Sequence, residues 1–166
     1  MCWLSRLFKQ VKIPYPEEKP DYIQTLENVD VFQSVGGWLE DYKVPSMHWD
    51  WWRSKIIISV DPELTYPAAT WGVDGVRYLS IRPEYVNSGV IAHEQAHNSY
   101  ALLSQDEKEE FAFEYHAVRD TDSLIKLLYS INTYGLASDI EGHAEIYRYL
   151  GYKMPEILKQ FYPKLF

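Results

Sequence analysis

An α+β fold, a small mixed sheet followed by a mainly helical half, is what this sequence predicts, and three observations carry that expectation. β-Branched and alternating runs are confined to residues 56 to 81, whereas apolar residues at helical spacing dominate from residue 88 onward. Strands that come first, with helices after them and not between them, point to α+β and away from α/β. A chain of 166 residues is the size of one domain with a real core, so a single domain is expected over residues 21 to 166 behind an N-terminal arm of residues 1 to 20.

In the arm, Trp3, Leu4, Leu7, Phe8 and Val11 share one face of a short helix, and residues 14 to 20, Pro-Tyr-Pro-Glu-Glu-Lys-Pro, form a proline-stiffened connector. Docking on the chain's own core is the favoured role for that face over a membrane surface, so membrane association is not expected. Ile56-Ile57-Ile58-Ser59-Val60, ended by Asp61-Pro62, reads as a buried strand. Residues 71 to 81 carry Asp74-Gly75 between alternating residues, a hairpin signal whose second strand, 76 to 81, leads almost directly into a helix. That helix has an N-cap in Asn87-Ser88 and no Pro or Gly from Val90 to Leu103. Helical spacing then recurs over residues 106 to 119, 123 to 131 and 138 to 150, Gly151 is placed to close the third of these, and Pro155 to open a last short helix.

Composition excludes some functions. A net charge of −8 without a basic stripe argues against nucleic acid. The single cysteine, Cys2, rules out an intramolecular disulfide framework and a Cys₄ structural zinc site, so any metal must rely on His and carboxylate. Apolar stretches are too short to span a bilayer and no secretory signal is visible, which makes cytoplasmic residence the default. The 14 Tyr and 6 Trp mean either an aromatic core or an aromatic recognition surface.

Chemistry concentrates in His93-Glu94-Gln95-Ala96-His97. Residues i and i+4 lie on one helix face, so both imidazoles can address one Zn²⁺ while Glu94 flanks it as a base. Two satisfied core histidines are the alternative. A catalytic zinc site usually has three protein ligands, and Glu110, Glu114, His116, Glu141, His143 and Glu145 are the candidates for the third. Glu110 and Glu114 sit on what reads as a solvated acidic face close behind His97. Glu141, 44 residues beyond His97 with two helical segments to bring the chain back, is better placed, and Glu145 is one turn further along the same face. A rival role exists for Glu141, because Ser138-Asp139-Ile140-Glu141 is also a capping box.

The segment Glu141-Gly142-His143-Ala144-Glu145-Ile146-Tyr147-Arg148 resembles the Glu-x-x-Ala-Glu-x-x-Arg segment of the anthrax lethal factor-like metallopeptidases, gluzincins that include the Pro-Pro endopeptidases. In that group a tyrosine lies two turns before the ligand glutamate, as Tyr134 does here, and the separation of the two motifs is similar. The resemblance covers roughly residues 88 to 150. It implies a zincin-like fold, zinc held by His93, His97 and Glu141, Glu94 as catalytic base, Tyr134 as a catalytic hydroxyl, and Glu145 as a carboxylate behind a histidine ligand. Two departures stand out: Ala96 replaces a common Gly, and His143 replaces a bulky apolar residue and sets a second potential ligand beside Glu141. Residues 1 to 70 lie outside the resemblance.

These residues permit hydrolysis of a peptide bond. Zn²⁺ would bind water in its open position and lower its pKa to about 7, Glu94 would move the proton, and Tyr134 would donate to the oxyanion. The expected partner is a peptide or protein substrate, laid along strand 76 to 81 if that strand is the cleft edge. The alternative is an inner strand whose Arg77 and Ser80 face solvent. The competing function is a zinc-stabilised module that binds or regulates without turnover. Cys2 and the arm raise a further hypothesis of latency, with the arm filling the groove or the thiol occupying the metal's open position, against the favoured reading in which the arm packs as ordinary structure and Cys2 is a bystander.

Overall fold

The computed structural model describes residues 37–73 and 76–166; the N-terminal arm, Cys2 and the Asp74-Gly75 turn lie outside the described residues. Helix α1 covers residues 37–41, and α2 (Trp49–Lys55) runs straight into strand β1 (Ile56–Val60). Strands β2 (Ala68–Val73) and β3 (Val76–Ile81) follow. The remainder is helical: α3 (Ser88–Tyr100), α4 (Gln105–Arg119), α5 (Ser123–Ile131), a 3-10 turn (Tyr134–Leu136), α6 (Asp139–Leu150) and α7 (Glu156–Lys159). This is the expected α+β arrangement, a mixed three-stranded sheet ahead of a helical half. Among the described residues no helix is long and apolar enough to cross a membrane.

The sheet order is β1-β3-β2, with β1 parallel to β3 and β2 antiparallel to it. The expected hairpin pairing is present, Val73 opposite Val76, although β2 begins at Ala68, three residues before Trp71. Strand 76 to 81 is not the edge. β1 pairs along its other side from Arg77 to Ile81, so β3 is central and, among the described residues, the edges are β1 and β2. Nor do Arg77 and Ser80 both face solvent: they alternate to opposite faces, Ser80 is buried and Arg77 is half-buried. β1, expected to be buried, is an edge strand with Ser59 exposed and Ile58 and Val60 half-buried against the core.

Helix α3 starts where its cap predicts, the Asn87 side chain accepting from Val90 N at 3.0 Å. It ends at Tyr100, short of Leu103, because the chain must turn out for Ser104 to take an extended conformation and cap α4. There Ser104 and Glu107 form a reciprocal capping box. Buried residues occupy most of the circumference of α3, which packs most extensively on α6 and also on β2.

The aromatic residues serve mainly the core. Trp38, Trp52, Phe111, Tyr115, Tyr147 and Tyr162 are fully buried, with Phe111 stacked on Tyr115 at 5.6 Å. The C-terminal residues are stitched beneath the helices through their carbonyls: Ser99 Oγ donates to Pro163 O at 2.8 Å and Trp52 Nε1 to Lys164 O at 2.7 Å. Helix α6 ends on Gly151 at φ 49°, a conformation that favours glycine. Where α4 crosses α6, the Tyr115 ring lies flush on Gly142, and a Cβ there would come within 2.6 Å of it. Tyr115 cannot swing away, since its hydroxyl donates to Gly135 O at 3.1 Å and accepts from Tyr129 OH at 3.0 Å.

Gly142→Ala is therefore expected to lower stability by about 1–3 kcal/mol through overpacking. Urea unfolding at fixed pH measures it, and an unchanged midpoint would contradict this reading of the crossing.

Candidate metal centre

Helix α3 carries His93 and His97 one turn apart, with ring planes at 88° and their Nε2 atoms 3.1 Å from each other. Helix α6 brings Glu141 against the same point, its Oε2 lying 3.4 Å from His93 Nε2 and 3.6 Å from His97 Nε2. These three residues form the group able to hold a metal ion among the described residues. Glu141 Oε2 is buried without a hydrogen-bond partner, and a cation at the centre of the triangle would give it a partner by coordination.

The competition between capping and ligation is divided between two residues. Ser138 caps α6, accepting from Glu141 N at 3.3 Å, while the Glu141 side chain points to the histidines and not back to the Ser138 backbone. Burial alone would raise the Glu141 pKa, but contact with His93 and His97 outweighs it and holds the carboxyl at about 2. For His93 burial works downward, and Glu141 and Glu145 lift the imidazole to about 9.

Glu145 faces the far side of His93, its Oε1 2.7 Å from Nδ1 in a contact bent away from the ring N–H direction. Its second oxygen accepts from Asn132 Nδ2, and Arg148 Nη1 lies 3.4 Å from Oε1. Burial would raise its pKa; His93, Arg148 and Asn132 together keep it lowered. Asn132 also accepts from Tyr134 N at 3.0 Å, so one amide ties the turn bearing Tyr134 to the carboxylate behind His93. The sequence carries no signal for that role, because an Asn after a helix is ordinary turn chemistry.

Glu94, on α3 beside the pair, is buried, and burial pushes its pKa above the usual carboxylate range. Tyr134 stands at the mouth, its ring 6.1 Å from that of His93, and burial reinforced by Glu141 and Glu94 raises its hydroxyl to about 12. Both line a cleft of about 810 Å³ between β2, α3 and α6, together with Thr70, Arg77 and Arg148. Behind the cleft wall, Thr70 Oγ1 lies 2.9 Å from Tyr78 O and 3.0 Å from the Asn98 amide, which also contacts Gln95. Both atoms facing the Thr70 hydroxyl are oxygens, so its one proton is shared between Tyr78 O and Asn98 Oδ1 while Asn98 Nδ2 donates to Gln95 Oε1, and the contact docks β2 on α3.

The other candidate ligands are elsewhere. His143 is fully buried in the aromatic core, Nε2 donating to Phe161 O at 2.8 Å and its ring stacked on Tyr162; burial lowers its pKa to about 3. His116 pairs with Asp139 at 2.9 Å on the surface, and Glu110 and Glu114 stay on the outer part of α4. No protein-family model, no curated protein and no solved structure matches the chain.

Zinc offered as a probe in equilibrium dialysis is expected to bind at one site per chain. Binding should be lost in His97→Ala and Glu141→Ala but only weakened, by about 10–100-fold, in Glu145→Ala. The reverse order for the two glutamates would move the ligand role to Glu145. In chelator, the His93 contribution to stability is full below its ordinary pKa of 6.5 and disappears as pH rises through about 9. The Glu141 contribution is full above 4.5 and is lost as pH falls towards about 2. Metal-free chain should thus gain most from this cluster between about pH 4.5 and 6.5. Urea midpoints across pH would expose an error if stability rose steadily from 6.5 to 9.

Proposed function

We propose that the chain is a zinc-dependent metallopeptidase of gluzincin type with a zincin-like fold. The observation that carries the reading is the convergence of two imidazole Nε2 atoms and one carboxylate oxygen at 3.1, 3.4 and 3.6 Å, beside a buried Glu94 in an open cleft. Tetrahedral zinc with bonds of about 2.0–2.1 Å requires its ligand atoms to lie about 3.3 Å from one another, which is the size of this triangle. Two histidines and a carboxylate, with one position left open, are also a donor set of catalytic zinc. The resemblance of His93 to His97 and of Tyr134 to Arg148 to the lethal factor-like metallopeptidases supports the same reading.

Zinc, when bound, supplies a Lewis acid that lowers the pKa of water to about 7 and polarises the scissile carbonyl. The chain's own groups do the rest. Glu94 takes a proton from the attacking water and returns it to the leaving amine; the upward push on its pKa makes the protonated form accessible for that second transfer. Tyr134, kept protonated by its raised pKa, donates to the oxygen on which negative charge develops. Glu145, 2.7 Å from His93 Nδ1, favours the tautomer that carries its proton there and leaves the Nε2 lone pair free for the metal, and Asn132 and Arg148 hold Glu145. Substrate lies along β2, the sheet edge that lines the cleft through Ala68, Ala69 and Thr70, and adds to it as a further strand.

Zinc-loaded chain incubated with a tryptic peptide mixture is expected to generate new termini detectable by mass spectrometry. Glu94→Gln should abolish them with zinc still bound, and Tyr134→Phe should slow them by about 10²–10³-fold. Cleavage that persisted in zinc-loaded Glu94→Gln would remove Glu94 as the base. A zinc-loaded native chain that cleaved nothing would favour the non-catalytic binding module.

A further inference from the structure

Two arginines line the cleft, and they differ. Arg148 is engaged by Glu145, whereas the Arg77 side chain makes no hydrogen bond, ion pair or ring contact among the described residues. That isolation is unusual in a chain of net charge −8, where carboxylates are in excess. Burial lowers the pKa of Arg77, so its guanidinium has lost part of its hydration without gaining a counter-charge from the described residues.

Its placement follows from strand periodicity. Arg77, Leu79 and Ile81 share one face of β3, opposite Gly72, Thr70 and Ala68 of β2. Thr70 contacts Asn98 of α3, which makes this the face that α3 covers; Leu79 and Ile81 are completely buried on it, and Arg77 stands at its open end. A central-strand side chain would ordinarily be separated from the sheet edge by the side chain of the outer strand. Here the outer residue is glycine. A Cβ on Gly72 would fall 2.9 Å from Arg77 Nη1 and 3.3 Å from Cζ, so the guanidinium crosses the edge strand in the space where a side chain would have been. The positive charge is thereby carried across β2, towards the edge on which the proposed peptide strand would lie.

We propose that Arg77, admitted by Gly72, is a carboxylate-binding subsite of the cleft that fixes the position of a bound peptide through one of its carboxylates. The planar guanidinium fork matches a carboxylate in two parallel hydrogen bonds, which neutral or cationic groups cannot reproduce. The carboxylate belongs either to an acidic side chain or to the C-terminus of the peptide. The subsite rests on the peptidase reading for the fate of the peptide, while the binding event is separable from it.

The test uses full-length, zinc-loaded Glu94→Gln chain and three randomised peptide pools. One contains Asp and Glu with amidated C-termini, one lacks Asp and Glu but keeps free C-termini, and one lacks both kinds of carboxylate. Retention is read by affinity mass spectrometry. One of the first two pools should be retained at least about tenfold better than the third, and which one it is identifies the source of the carboxylate. Adding Arg77→Gln should bring that pool down to the level of the third, and Arg77→Lys should restore part of the difference. Equal retention of all pools, retention of none, or a preference that survives Arg77→Gln in chain of unchanged melting temperature would overturn the proposal. The native chain supplies the separate outcome for the peptidase reading. Arg77-dependent binding without hydrolysis would sink the peptidase and keep the subsite, and hydrolysis indifferent to carboxylates would do the opposite.

Discussion

The packing of α3 on α6 is the constraint on which the rest of this molecule depends, because it brings a carboxylate from one helix within 3.6 Å of two imidazoles on the other. Neither helix could do this alone: α3 supplies donors of one kind on one face, and α6 supplies the third donor together with the carboxylate behind the first. The remaining elements hold this pair in register. Tyr115 of α4 lies against Gly142, Tyr129 of α5 against Gly135, and the C-terminal residues fasten His143 and Ser99 from below. Ala92, Ala96 and Ala144, all fully buried, are the small residues that leave room for such close packing.

The same packing creates an electrostatic problem. Glu94 and Glu145 are buried and Glu141 is largely covered, so with neutral imidazoles Arg148, through Glu145, is the arginine paired with this group of three carboxylates, Arg77 standing apart at the open end of the sheet face. Buried charge of one sign is costly unless compensated. Without metal, the cluster compensates by raising the affinity of His93 for a proton, to a pKa of about 9. A divalent cation would meet the same surplus while freeing that proton, which couples metal uptake to proton release.

Much of this arrangement is written in short-range sequence, and what is missing has a common physical reason. The His93 helix, its Asn87 cap, the start of α6 after Ser138 and its end at Gly151 follow from periodicity and capping chemistry, which are local. The separation of Glu141 from Glu145 is not local: both lie on one helix face, and only the angle at which α6 meets α3 decides which one turns to the Nε2 atoms and which to Nδ1. Sheet order escaped for the same reason. A β-branched run in β1 announces a strand but not its partner, so the sequence points to β3 as the edge, whereas β1 and β2 flank it on both sides. Asn132 and Gly72 acquire their roles from residues 13 positions away and from the neighbouring strand, respectively.

X-ray absorption at the zinc edge of the loaded chain tests the central claim most directly, since it reads the atoms around the metal independently of turnover. A shell of four nitrogen and oxygen atoms at about 2.0–2.1 Å, with the outer-shell scattering of two imidazoles, is the expected result. One sulfur near 2.3 Å beside two imidazoles would place the Cys2 thiol in the open position, whereas oxygen ligands without imidazole would mean that His93, His97 and Glu141 do not hold the metal.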